Sequence, residues 1–263
     1  GAKKDPAAVP ALIAALNDEK AVKAAAEALD EIPHDPPPSS LPILVSCLRF
    51  AWDPEKGYVR SALVKLGEPA ARRLLQALAN ENWVVRSNAI WVLGELGSRE
   101  AVPAFASMLE GEPWTLRCNI VEALGKIDSP GTIPPLLAAM EDGKDTVRSF
   151  AGRVLLEKKD PRIIPGLVRL LEGNRDVWQN TEETLVGIGT PALPALIEAA
   201  ADASQEETAR LRAKGTIPHI LGYNFYIWFS DEGYGRMVAA LEGEGEAVKS
   251  RSISLLGQLF AKK

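Results

Sequence analysis

Histidine, the side chain best suited to proton transfer and metal ligation near neutral pH, occurs at only two positions, His34 and His219. One lies in a proline-rich segment and the other far along the chain, so neither a two-histidine metal site nor a Ser-His-Asp arrangement has support. No G-x-S-x-G motif and no phosphate-cradling glycine loop occurs. Cys47 and Cys118 are too few for a disulfide framework and too far apart for a CxxC pair. Carboxylates abound, but on helical surfaces they chiefly solvate a face. No catalytic residue, metal or cofactor is therefore expected, and the remaining chemistry is that of recognition.

Three recurring sets could carry it. Arg86, Arg117 and Arg148 fall 31 residues apart. Each guanidinium can reach a carboxylate or a helix-end carbonyl of a neighbouring unit, which predicts a structural ladder; collection of an anionic ligand is the alternative. Two, five and nine residues after each arginine runs a stripe: Asn88, Trp91 and Glu95, then Asn119, Glu122 and Lys126, then Phe150, Arg153 and Glu157, and finally Asn180 and Glu183. Asparagine is a poor residue in mid-helix, so its return at one register suggests a use. The stripe loosely resembles the asparagine ladder by which armadillo repeats, with nearby tryptophans, grip an extended peptide. Asn88, Trp91, Asn119, Glu122, Arg153 and Asn180 are accordingly candidate binding residues. The plainer account has each asparagine touching the adjacent repeat. The third set is YNFYIWFSDEGY at 223–234, where six aromatics crowd into twelve residues. Tyr223, Tyr226, Trp228 and Tyr234 each join an apolar body to a polar tip and are candidates for a recognition patch. Their alternative role is to seal a junction between repeats.

The elements that must position these residues are read from NWVVRSNAIWVLGELGSREAVPAFASMLEG at 82–111. Ala89, Val92, Leu93 and Leu96 make one apolar stripe at helical spacing, and Val102, Phe105 and Leu109 make another after a Gly-Ser turn. Neither helix can bury its stripe alone. Leu93-Gly94 returns as Leu124-Gly125, and Val102-Pro103 as Ile133-Pro134 and Ile164-Pro165. A fixed period with two helices per unit predicts an all-α chain, a right-handed α-α solenoid of about sixteen helices. Prolines at 10, 42, 103, 134, 165 and 194 fall in the first turn of second-type helices, where a missing donor costs nothing. Gly94, Gly97, Gly125, Gly187 and Gly189 read as turn glycines at helix ends. The small residues Ala104, Ser107, Pro135, Ala138, Gly166 and Ala195 read as the smooth outer face of the second-type helices.

Residues 1–263 read as a single solenoid. After Gly1-Ala2, which reads as a remnant, the chain begins on a second-type helix and ends in a first-type one, so both ends fall at half-repeats. PHDPPPSS at 33–40 reads as a loop, because successive prolines lack donors and push their predecessors toward extended backbone. Regularity fails where Trp178 replaces the expected arginine, and again near Lys214, beyond which Pro218 should end or kink its helix.

Charge and composition narrow the partners. The net charge of −5 lacks the basic excess of a nucleic-acid binder, so no nucleic acid is expected. No apolar run approaches the roughly 18 residues of a membrane span, and no signal-peptide layout opens the chain. A soluble, cytoplasmic protein is expected, with a protein or peptide partner whose identity, like the oligomeric state, is not written in the residues.

The short D-or-W-x-VR-x-x-A-x-x-x-LG first helix, carried by Val85, Arg86, Ala89, Leu93 and Gly94 and their echoes, and the following a-V-P-x-L helix resemble HEAT repeats of the phycobilisome-lyase-like type. The resemblance covers nearly the whole chain. It implies a helical solenoid and a choice among a non-catalytic interaction scaffold, a bilin lyase or chromophore chaperone, and a regulatory module of a larger enzyme. HEAT-repeat hydroxylases that hold iron use paired His-Glu motifs, and these are absent.

Overall fold

Proline sets the entry to the second-type helices. In the computed structural model, which describes residues 6–18, 20–32, 35–50, 57–221, 238–241 and 246–261, Pro10, Pro42, Pro103, Pro165 and Pro194 occupy the first two positions of their helices. A single 3-10 turn leads into each of these. The ring fixes φ where the helix begins and removes a donor that would have no partner there. All described regular structure is helical, with no strand among the described residues. The chain is an all-α solenoid.

It divides into two compact units, Gly1–Thr132 and Ile133–Lys263. In the first, second-type helices α1 (Val9–Ala15), α3 (Leu41–Ser46), α5 (Glu68–Ala77) and α7 (Val102–Met108) alternate with first-type helices α2 (Val22–Glu31), α4 (Gly57–Leu66), α6 (Trp83–Glu95) and α8 (Trp114–Lys126). Like packs on like: α2 on α4, α4 on α6, and α6 on α8 form one layer, while α1 on α3 and α3 on α5 form the other. The second unit repeats the scheme with α9 (Ile133–Ala139), α11 (Ile164–Leu170) and α13 (Leu193–Ala201) against α10 (Asp145–Lys158), α12 (Arg175–Ile188) and α14 (Glu207–Ile220). A last helix, α15 (Glu246–Ala261), packs on α13. Residues 238–240 are also helical.

Between the two layers of each unit runs the core. Leu93 and Leu124 in the first unit and Leu155 in the second are wholly excluded from solvent, as are Phe105, Leu136 and Leu167 from the second-type helices. Burying one such side chain is worth about 1.5–3 kcal/mol, which is why a short helix that could not persist alone is stable in the stack. Caps fix where the long helices start. The Asn82 side chain accepts from the Val84 N–H, and that of Asn174 from the Asp176 and Val177 N–H groups.

Three local readings need correction. Gly94, Gly125 and Gly187 are no turn residues: each lies inside its helix, and a Cβ placed on Gly94 would come within 2.8 Å of the Ala123 backbone on α8. Gly97 and Gly189, by contrast, do turn the chain, with φ of 64° and 78°. Pro135 and Gly166 are buried, not outward, and Gly166 lies close against Leu137 of the preceding second-type helix. The proline-rich loop ends in a 3-10 turn at Pro38–Ser40, where the Ser40 hydroxyl donates to the Pro37 carbonyl. Pro218 lies inside α14, two residues before its end.

Candidate functional site

The arginines after each valine hold loops. On α6, Arg86 donates from Nη1 to the carbonyls of Asn80 and Glu81 at 2.8 and 3.0 Å and pairs through Nη2 with Glu112 of the following repeat at 2.7 Å. Arg117 donates to the Glu112 carbonyl at 2.6 Å. In the second unit, buried Arg148 donates to the Asp142 carbonyl at 2.7 Å and to Asp145 at 3.0 Å, with Asp176 at 3.8 Å. Each guanidinium thus holds the segment ahead of its own helix, and those of Arg86 and Arg148 also meet acidic side chains. Where Trp178 replaces the arginine, Arg212 of α14 supplies the charge: its Nη1 donates to the carbonyls of Leu171 and Gly173, both at 2.6 Å, and its guanidinium lies 5.3 Å from the Trp178 ring centre.

The asparagines of the stripe are spent between helices and do not form a row of free amides. Asn88 is buried, and its amide donates to the Leu48 and Val84 carbonyls, both at 2.9 Å. Asn119 donates to the Ser87 hydroxyl at 3.0 Å. In the second unit Asn180 donates to the Asp176 carbonyl at 2.9 Å and to Asp145 at 3.3 Å, while it accepts from the Ser149 hydroxyl at 2.8 Å. The physical reason is that the stripe faces the next helix of the layer, where a short amide can bridge backbones. Arg153, exposed, pairs with Glu157 at 3.2 Å and lies 4.4 Å from the Phe150 ring centre. Tyr223, Tyr226, Trp228 and Tyr234 lie outside the described residues.

In the first unit the stripe nonetheless lines a cleft. Arg60 from α4, Ser87, Asn88 and Trp91 from α6, and Asn119, Glu122, Ala123 and Lys126 from α8 enclose about 190 Å³, open on one side. Half-buried Trp91 is its floor, with the Arg60 guanidinium 4.6 Å and the Lys126 ammonium 5.5 Å from the ring centre. Lys126 also meets Glu95 at 2.5 Å and Glu122 at 3.0 Å. Burial alone would push the Lys126 ammonium down, but the hydrogen bonds it donates to Glu95 and Glu122 together hold it above the usual lysine range. The lining can therefore offer an aromatic face, a charged pair at the rim and the donors of Arg60.

Arg60, Ser87 and Lys126 were not among the residues singled out as binding candidates. Val59-Arg60 precedes Val85-Arg86 by 26 residues instead of 31, but Arg60 keeps the fourth position of its helix, as Arg86 does, so nothing in the sequence set it apart. Glu122 belongs to the cleft with Asn88, Trp91 and Asn119, whereas Arg153 and Asn180 belong to the other unit.

Among the described residues no group of His, Cys, Asp and Glu has the arrangement of a metal site, and no single helix is long and apolar enough to cross a membrane. His219 meets Glu182 at 3.0 Å on an exposed face.

Comparison with known proteins follows the same lines. The family model for HEAT repeats matches residues 71–149, the segment that holds α6, α7, α8 and α9. No curated protein matches the chain in sequence. Among solved structures, Kap121p is 16% identical with a TM-score of 0.52, covering 95% of this chain and 32% of its own. The complex of CpcE and CpcF of phycocyanin lyase from Nostoc sp. PCC7120 is 22% identical with a TM-score of 0.45, covering 95% and 94%. Human deoxyhypusine hydroxylase is 22% identical with a TM-score of 0.39, covering 70% and 75%. The HEAT-repeat resemblance read from the valine-arginine and leucine-glycine pairs is borne out over residues 71–149, which match the family model within a helical solenoid.

Proposed function

We propose that the chain is a non-catalytic scaffold that binds an extended segment of a partner protein across the first-type helices of its first unit. The observation that carries this reading is the cleft in which α4, α6 and α8 each contribute a polar or aromatic side chain around Trp91. Its volume of about 190 Å³ falls below the roughly 300–1,000 Å³ of pockets that enclose a whole small molecule. A single side chain of a bound segment fits that space, with the rest of the segment lying over the rim. HEAT repeats stack into extended surfaces suited to such a ligand.

The test is affinity selection from a random peptide library displayed against the purified protein. Selected peptides should bind the wild type and the Trp83→Ala variant equally, because Trp83 is an exposed residue outside the cleft, and should lose binding to Trp91→Leu at unchanged helical content. Retention of binding by a folded Trp91→Leu would exclude the cleft. Should Trp91→Leu fail to fold, competition between a selected peptide and a nitroxide attached at Glu122→Cys, read as loss of spin mobility, decides the same point.

A further inference from the structure

Arg60 brings to the cleft a guanidinium that makes no ion pair among the described residues. Arg60 occupies the valine-arginine position of its repeat, yet among the described residues it makes no hydrogen bond and no ion pair; its one recorded partner is the Trp91 ring. Its Nε is buried without an acceptor. The Nε groups of Arg86 and Arg148 are likewise buried and unmatched, but the terminal nitrogens of both hold carbonyls and carboxylates. Those of Arg60 hold none among the described residues. Beside it, Ser87 accepts from Asn119 while its own proton has no recorded acceptor among the described residues, and Asn119 has used one of its two amide protons. The carboxylates nearby are already committed, since Glu95 and Glu122 both meet Lys126.

We propose, resting on the scaffold reading above, that the cleft takes a carboxylate, specifically the side chain of a glutamate or aspartate in the bound partner segment, with Arg60 as its main recognition residue. With its Nε covered and its centre 4.6 Å from the Trp91 ring centre, the Arg60 guanidinium can still offer its two terminal nitrogens as parallel N–H donors, the arrangement that matches a carboxylate. Ser87 and Asn119 border the same space and can each give a further proton. A carbonyl of the segment would satisfy one donor, whereas a carboxylate satisfies two and neutralises the charge. A partly open cleft of about 190 Å³ suits a side chain held by a peptide, whose flanking residues add contacts, better than a free small acid, whose affinity would rest on this one contact.

The experiment uses the full chain and two N-acetylated, C-amidated hexapeptides, one alternating Glu and Ser and one alternating Gln and Ser, with sodium glutamate as a third probe. Binding is read from the Trp91 indole ¹⁵N–¹H resonance, assigned by its loss in Trp91→Phe. The acidic peptide should bind at least tenfold more tightly than its amide counterpart, a difference of about 1.4 kcal/mol, and should weaken as salt rises. Arg60→Gln should make the two peptides equal, and Arg60→Lys should restore part of the difference. Equal binding of both peptides by the wild type overturns the carboxylate proposal while leaving the scaffold reading intact. So does an acid preference that survives Arg60→Gln. Saturation by sodium glutamate at the same affinity as the acidic peptide makes this a small-acid site and overturns the peptide assignment. If neither peptide nor glutamate moves the resonance, the proposal fails, and whether library-selected peptides move it decides the scaffold reading separately.

Discussion

Arg212 lies over Trp178 and donates twice to the segment ahead of α12, the position that Arg86 and Arg148 serve from within their own helices. The repeat has moved its arginine to the neighbouring helix and kept its bond pattern. Hydrogen bonds from a charged donor are worth about 1.5–3 kcal/mol. Arg212→Ala should therefore destabilise the chain by about 2–3 kcal/mol in denaturant titration. Arg212→Lys should recover less than half of this, because a point charge on a flexible stem does not span both carbonyls. An Arg212→Ala variant as stable as the wild type would show that the two bonds contribute nothing.

Gly94 and Gly187 share a helical setting but not a neighbour. A Cβ on Gly94 meets Ala123 Cα at 2.8 Å, which is backbone, whereas on Gly187 it meets the ends of the Leu156 side chain at 2.9 Å. Backbone cannot step aside, so Gly94→Ala should force α6 from α8 at a cost of about 1–3 kcal/mol, outweighing the roughly 1 kcal/mol by which alanine favours a helix. Gly187→Ala should be near neutral, since Leu156 can change rotamer. Thermal melts of the two variants give the comparison, and equal melting temperatures would contradict it.

Leu93, Leu124 and Leu155 are each wholly buried. Each Leu→Ala change should cost about 2–5 kcal/mol through transfer and cavity terms. Urea unfolding checks this, and a cost below 1 kcal/mol at any of the three would mean that its layer repacks.

Asp160 caps the turn before α11 and holds the Arg162 guanidinium through both oxygens. The hydrogen bonds from the Arg162 side chain and then its backbone N–H lower the carboxyl from 3.8 to about 2. A depressed carboxylate stabilises the fold above its unfolded value and loses that contribution as pH falls through the folded one. The gap in melting temperature between wild type and Asp160→Asn should be constant at neutral pH and close as pH falls from about 4 to about 2. A gap that persists at pH 2 would show that the carboxylate charge plays no part.

The period was legible because each repeat must bury the same stripe, so Leu93, Leu124 and Leu155 could each be placed in the core of its own unit from spacing alone. Gly94 was not, because a glycine needed for close approach and one needed for a turn look alike until the facing residue, Ala123, is known. The asparagine stripe was legible as a register but not as a set of partners. Asn88 reaches the Leu48 carbonyl 40 residues away, and no local pattern announces a contact at that range. Arg60 was hidden by its own regularity: it stands after a valine like the others, and only the geometry separates a guanidinium that holds a loop from one that faces a cleft.

The central claim, that a partner segment docks in the Arg60–Trp91–Asn119 cleft, is tested most directly by the indole ¹⁵N–¹H resonances of the chain as a library-selected peptide is added. The account predicts that the Trp91 resonance moves to saturation while those of the exposed Trp83 and Trp114 stay in place. Movement of Trp83 or Trp114 with Trp91 unchanged would contradict it.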